Sequence, residues 1–312
     1  MKNTLVMLEL RDYTLKEMKE IPGFDFRFVK PEEAADEDLA WAQVIVGDPS
    51  MEQIGKAKQL EWIQTDSAGV NSWKNLDEHI TLSNAYGAYG EGIGEFLTAE
   101  VLMADKQLDR YVKAQKEHSW ENLGYGIGVR NMKVLSVGMG AIGSAFLRRM
   151  HALGAACYGV CRTVHEKPDF VEALYTTEHL NEILPEADVI ALSLPETPQT
   201  IHMFGYDRLH LMKKNAMLLN VGRGSAIDET ALLKVLEEGW FSRVLLDVTE
   251  HEPLPKNNAL WNIDRVFITP HISGRFHNPI NYDAVASIIL ENLKLASEGK
   301  PLKHVVQRSI GY

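Results

Sequence analysis

The stretch Val134-Leu-Ser-Val-Gly138-Met-Gly140-Ala-Ile-Gly143 decides the fold of this 312-residue chain. An apolar run leads into a G-x-G-x-x-G spacing. Beyond it, Ile142, Phe146, Met150 and Leu153 recur at helical spacing until Gly154. A second apolar run, Ala156–Val160, follows at once. The pattern reads strand, tight turn, helix, strand. Gly138 allows the turn, Gly140 lets backbone approach a pyrophosphate, and Gly143 lets the helix pack close to the strand. Ala141 and Ile142 open the helix, whose unpaired N–H groups and positive dipole end attract phosphate. In that setting the motif predicts a dinucleotide site rather than a turn without a ligand.

The second strand ends Cys161-Arg162-Thr163, about 20 residues past the motif, where an acidic residue would hold the ribose hydroxyls of NAD. None is present. Arg162, with Thr163 beside it, suits a 2′-phosphate, so NADP(H) is favoured over NAD(H); the competing reading has Arg162 stacked on adenine as a solvated residue. Cys157 and Cys161 lie in this apolar run with no metal-ligand spacing around them and read as reduced, packed thiols. A formal charge of −11 argues against nucleic acid or anionic membranes as partners. Glu9 and Arg11 interrupt the N-terminal apolar stretch before signal-peptide length, and no run reaches the ~18–20 residues of a membrane span. A cytoplasmic protein is expected.

Working outward, Val189–Leu194, Met217–Val221, Val244–Val248 and Val266–Thr269 extend the set begun by 133–137 and 156–160. Helical segments lie between most of them; one has Asp228 as its N-cap and Gly239 as its stop. Upstream, Leu5–Leu8, Phe24–Val29, Ala42–Val46, Leu60–Thr65 and Ile80–Ser83 alternate with amphipathic segments, the rhythm of another parallel sheet. From Glu91 to about Lys113 a single long helix is expected, apolar on more than one face. A last helix carries Val285, Ile289, Leu293 and Ala296. The expected fold is therefore α/β, with two Rossmann-like parallel-sheet domains, one flavodoxin-like and one NAD(P)-binding, and a cleft between them. Residues 1–101, completed by 284–312, would form the substrate domain, and 102–283 the dinucleotide domain.

Three polar residues just past strand ends carry the chemistry, where open α/β sheets place ligands. Arg223 in Asn220-Val-Gly-Arg-Gly224 has glycines on both sides, and its fork can hold a carboxylate while polarising a neighbouring carbonyl. His271 in Thr269-Pro-His-Ile-Ser-Gly274 can donate a proton near neutral pH. Glu252 in His251-Glu-Pro-Leu-Pro255 can orient that imidazole and keep it basic. His251 competes for the acid role, but adjacent side chains on an extended loop point apart, which favours His271. Trp62, Trp73 and Trp120 could line a pocket, although aromatics are more often core. Together Arg223, Glu252 and His271 suit hydride chemistry on a small 2-keto or 2-hydroxy acid.

At this point the chain resembles the D-isomer-specific 2-hydroxyacid dehydrogenases over nearly its whole length. The resemblance rests on Gly138–Gly143, Leu194-Pro195-Glu-Thr197 with Thr200, Val221-Gly222-Arg223-Gly224 with Asp228-Glu229, Leu246-Asp247-Val248, Glu252-Pro-Leu-Pro255 and Pro270-His271-Ile-Ser-Gly274. It implies that Arg223 binds substrate, that His271 and Glu252 form the acid–base pair, and that the product is the D-hydroxy acid. It also implies that Asp247 accepts a hydrogen bond from the nicotinamide carboxamide. Leu194, Pro195, Thr200, Val221, Gly222 and Gly274 would line the cofactor, and backbone N–H groups around Ala68 and Gly69 would hold the substrate carboxylate. A homodimer through the 91–113 helix is a further implication. Two departures stand out: Asn71 replaces a usual acid after the Ala68–Gly69 loop, and the missing acid at the end of the second strand looks like glyoxylate/hydroxypyruvate reductase relatives. A non-catalytic dinucleotide sensor would keep the glycines without needing Arg223, Glu252 and His271. A formate-type site would carry an amide where Glu252 stands.

Overall fold

The computed structural model describes residues 1–163, 166–276 and 278–307. It divides into two compact units, Met1–Tyr89 with Phe276–Tyr312, and Gly90–Arg275.

In the first unit β1 (Lys2–Val6), β2 (Phe24–Phe28), β3 (Val44–Val46), β4 (Trp62–Gln64) and β5 (Thr81–Ser83) form a parallel sheet in the order 2-1-3-4-5. This is the flavodoxin-like order. Four of the five runs place Leu5, Ile45, Ile63 and Leu82 in one core with Trp73 and Leu76, while β2 is the edge strand, with Phe24 buried. The helix Pro279–Ser297 belongs to this unit: the Tyr282 hydroxyl accepts the Arg11 N–H at 2.7 Å, and Asn292 donates to Gln64 at 2.7 Å. Trp62 and Trp73 are core residues rather than pocket residues. Their indole N–H groups donate to Ser83 and to the Pro49 carbonyl at 2.8 and 3.0 Å.

The second unit holds seven parallel strands: β6 (Lys133–Val137), β7 (Ala156–Cys161), β8 (Ala173–Thr176), β9 (Val189–Leu192), β10 (Met217–Asn220), β11 (Arg243–Leu246) and β12 (Val266–Ile268). Their order is β12-β11-β10-β9-β6-β7-β8, a Rossmann sheet that reverses direction between β6 and β9. Six were expected from apolar runs. The seventh, β8, is an edge strand of four half-buried residues. Asp228 caps its helix as expected, its side chain accepting the Ala231 N–H at 3.0 Å, and Gly239 takes a positive φ just beyond the helix end.

The long helix expected over 91–113 is two helices, Gly90–Asp105 and Leu108–Lys116. Gln107 adopts a left-handed backbone and breaks the path. Asp105 is buried at the break, its carboxylate accepting the Gly128 N–H at 3.1 Å, while Leu108 faces solvent. The first helix packs tightly on the helix Ala141–Ala152 that follows the glycine motif. A Cβ at Gly90 or Gly94 would come within 2.9 Å of Ala141 or Ala145. Glu91 pairs with Arg148 and Arg149 across the same seam. Both cysteines are buried free thiols, and burial pushes Cys157 up to about 12. Among the described residues, no helix is long and apolar enough to cross a membrane.

Candidate active site

The glycine motif makes the turn its spacing predicts. Gly138 sits at φ +107, and its N–H donates to the Val160 carbonyl at 2.9 Å. A Cβ there would lie 2.6 Å from the Ser193 carbonyl, and one at Gly143 would strike the Gly138 carbonyl. Glycine at 138 and 143 thus lets the turn pack directly against its neighbours, and it lies at the β6/β9 reversal of strand order, where open α/β sheets place their ligands. Gly140, Ala141 and Ile142 form the first turn of the helix. Arg162 and Thr163 are exposed just past β7, the neighbour of β6. Thr200 closes the loop after β9, its hydroxyl donating to the Pro195 carbonyl at 2.7 Å. Val221 is buried, its N–H donating to Leu192 at 3.1 Å.

From here the loops at the carboxyl edge touch one another in strand order. Gly222 packs on Leu194, where a Cβ would lie 2.6 Å from its backbone, and Gly224 packs on the Thr249 carbonyl. The Thr249 N–H donates to Glu252 at 3.2 Å, and the other Glu252 oxygen meets His271 Nδ1 at 2.7 Å. β10, β11 and β12 are adjacent, and parallel neighbours stand about 4.8 Å apart. Arg223, Glu252 and His271 therefore lie past the ends of three consecutive strands, on the edge that carries the nucleotide turn. The His271 and Glu252 side chains are 50% and 39% exposed, open to a ligand. His251 is exposed, and Glu252 turns to His271 instead. With Nδ1 facing the carboxylate, Nε2 is the nitrogen that can carry a proton to a substrate.

Asn220 and Glu100 were not singled out in the sequence, and Asp247 was, but only through the resemblance and in another role. Asn220 clamps the Arg223 turn: its amide donates to the Arg223 carbonyl at 3.0 Å, and its oxygen accepts the Gly222 N–H at 3.1 Å. His271 has a positive φ of 50°, a conformation costing about 1–2 kcal/mol for a residue with a Cβ. Asp247 holds it there. Its carbonyl accepts the His271 N–H at 2.8 Å, and its carboxylate accepts the Thr269 hydroxyl and the Ile272 and Ser273 N–H groups at 2.6, 2.8 and 3.0 Å. Asp247 is thus first the anchor of the His271–Gly274 loop; three of its roughly four lone-pair sites are used. Glu100 lies in the interior of the Gly90–Asp105 helix, 4% exposed, with both oxygens buried and unpartnered. Burial, then the nearby Asp247, pushes its carboxyl up to about 8. A lone acid between Leu97 and Val101 on an apolar helix face was the available sign. Ala68 and Gly69 lie in the first unit past β4, and Ala68 accepts the Asn84 amide N–H at 2.8 Å.

A Rossmann sheet with a glycine cradle at its reversal and a carboxylate–imidazole pair along the same edge defines a dinucleotide-dependent oxidoreductase. The model of the D-isomer specific 2-hydroxyacid dehydrogenase NAD-binding domain matches residues 98–273, more than half the chain. A glyoxylate reductase of Korarchaeum cryptofilum is 32% identical over 241 residues, 74% of this chain and 70% of that protein. Glyoxylate/hydroxypyruvate reductase B of Erwinia tasmaniensis is 32% identical, with 83% of each chain covered. A D-isomer specific 2-hydroxyacid dehydrogenase family structure from Aeromonas salmonicida superposes with a TM-score of 0.90 at 29% identity, over 98% of this chain and 99% of that one. The chain belongs to the D-isomer specific 2-hydroxyacid dehydrogenase family.

Proposed function

We propose that this protein is a cytoplasmic, NADP(H)-preferring reductase of small 2-keto acids of the glyoxylate or hydroxypyruvate type, giving D-2-hydroxy acids. The observation that carries the reading is the 2.7 Å contact between His271 Nδ1 and Glu252, on the sheet edge that bears the Gly138 cradle. Arg223 holds the substrate carboxylate with its guanidinium fork, and the resemblance gives backbone N–H groups at Ala68 and Gly69 a carboxylate-binding role as well. His271 Nε2–H donates a proton to the keto oxygen, and Glu252 stabilises the imidazolium form and fixes the ring. Gly138, Gly140, Ala141, Ile142 and Gly143 hold the pyrophosphate, with Leu194, Pro195, Thr200, Val221, Gly222 and Gly274 around the remainder of the dinucleotide and Asp247 at its carboxamide. The bound dinucleotide supplies the hydride. Arg162 and Thr163 at the end of β7, where the sequence carries no Asp or Glu at the strand end, favour a 2′-phosphate. A homodimer through residues 91–113 fits the exposed apolar side chains of Leu108 and Val112, with Trp120, Tyr125 and Ile127 exposed in the segment that follows.

The test is NADPH consumption with glyoxylate, hydroxypyruvate and phenylpyruvate. The wild type should turn over at least one, and His271→Ala should lose about 10²- to 10⁴-fold in kcat while still binding NADPH. No turnover with any keto acid, or an undiminished His271→Ala, refutes the reading. Sedimentation of the purified protein as a monomer refutes the dimer.

A further inference from the structure

The first unit carries a pair of carboxyls that the chemistry above does not use. Asp48 lies two residues beyond β3 and Asp66 two beyond β4, and the strands are paired with Val46 opposite Gln64. That register sets the two carboxyl-bearing positions side by side, and Asp48 raises the proton affinity of Asp66. The Thr65 hydroxyl donates to Asp48 and accepts the Ser67 N–H at 2.9 Å. On the other side, the Tyr89 hydroxyl donates to the Asp66 carbonyl at 2.6 Å, and the Ala85 N–H to Ser67 at 2.9 Å. Asp66, Ser67 and Ala68 are each tied in place, and the carboxyl pair is the one group among these that can lose a proton near neutral pH.

Two carboxyl groups bond to one another only with a proton between them. We propose that Asp48 and Asp66 share one proton, and that this bond holds the Asp66–Val70 loop in the form that presents the Ala68 and Gly69 N–H groups to the substrate carboxylate. The inference rests on the reading that these N–H groups bind substrate. Burial, then Asp48, pushes the Asp66 carboxyl up to about 8, so the pair keeps its proton at neutral pH. The titratable groups facing Asp66 are Asp48, from the turn after β3, and Tyr89, from the turn after β5. Asp66 Oδ1 is buried without a partner, so ionisation leaves two like charges with no donor between them. Asp48 and Asp66 are positioning residues: they act through the loop.

The experiment measures KM and kcat for glyoxylate at saturating NADPH between about pH 7 and 9.5, for wild type, Asp66→Asn and Asp66→Ala. Wild-type KM should rise roughly tenfold between about pH 7.5 and 9, following loss of one proton near 8, with kcat changing less. Asp66→Asn keeps a donor toward Asp48, so its KM should stay flat. Asp66→Ala should show a raised KM across the whole range. A rise in Asp66→Asn matching wild type, or an unaltered KM in Asp66→Ala, overturns the proposal. Carbon-13 spectra of the full chain labelled at aspartate give a readout without turnover: one carboxyl titrating near 8 in wild type, missing in both variants. Its absence from wild type also overturns the proposal. If no keto acid is reduced, the functional reading fails while the spectra still decide the pair.

Discussion

Replacing Glu100 with glutamine should stabilise the protein, and by an amount that depends steeply on pH. The carboxyl is buried in the Gly90–Asp105 helix with no partner for either oxygen, and burial with Asp247 nearby raises it from 4.5 to about 8. Between those values the native state keeps a proton that the unfolded chain has released. The unfolded state therefore binds fewer protons, and stability falls as pH rises through that window. The slope is about 1.4 kcal/mol per pH unit, so from about pH 5 to 8 this one group removes roughly 4 kcal/mol. Below about 4.5 both states are protonated and the loss vanishes. Glutamine does not titrate, so urea midpoints of the variant should overtake those of wild type as pH increases, with little change in m-value. Parallel stability profiles for the two proteins from about pH 5 to 8 would show that Glu100 is ionised in the folded chain, and the reasoning fails.

Arg223→Lys keeps the charge but loses the planar fork, so kcat/KM for glyoxylate should fall about 100-fold, mostly through KM; an unchanged KM contradicts the carboxylate role. Gly138→Ala combines φ +107 with a Cβ placed 2.6 Å from the Ser193 carbonyl, so NADPH affinity measured by fluorescence titration should drop at least about tenfold. Wild-type affinity in that variant removes the turn from the cofactor site. Arg162→Ala should lower kcat/KM for NADPH by about tenfold while sparing NADH, and equal losses with both cofactors count against a 2′-phosphate contact.

Much of this molecule was readable one residue at a time. The glycines at 138, 140 and 143 act through backbone geometry that depends only on near neighbours, so their meaning survives without tertiary knowledge. The same holds for the apolar runs that became β9 to β11 and for Asp228 as a cap. Arg223, Glu252 and His271 were visible as polar residues set immediately past such runs. β8 was not, because its Ala173-Leu174-Tyr175 run is short and gives way at once to threonines. The division of the 91–113 helix was not, because Asp105 and Gln107 are compatible with a helix until Gly128 claims the Asp105 carboxylate. Asn220, Asp247 and Thr269 acquire their roles from partners on neighbouring loops.

What the chain order determined by itself is periodicity, turn chemistry and the placing of reactive side chains at strand ends, because these depend on contacts a few residues apart. The charge state of Glu100 and of the Asp48–Asp66 pair was decided only by folding. A carboxyl's proton depends on the water removed from it and on the charges brought beside it, and both are set by segments distant in sequence.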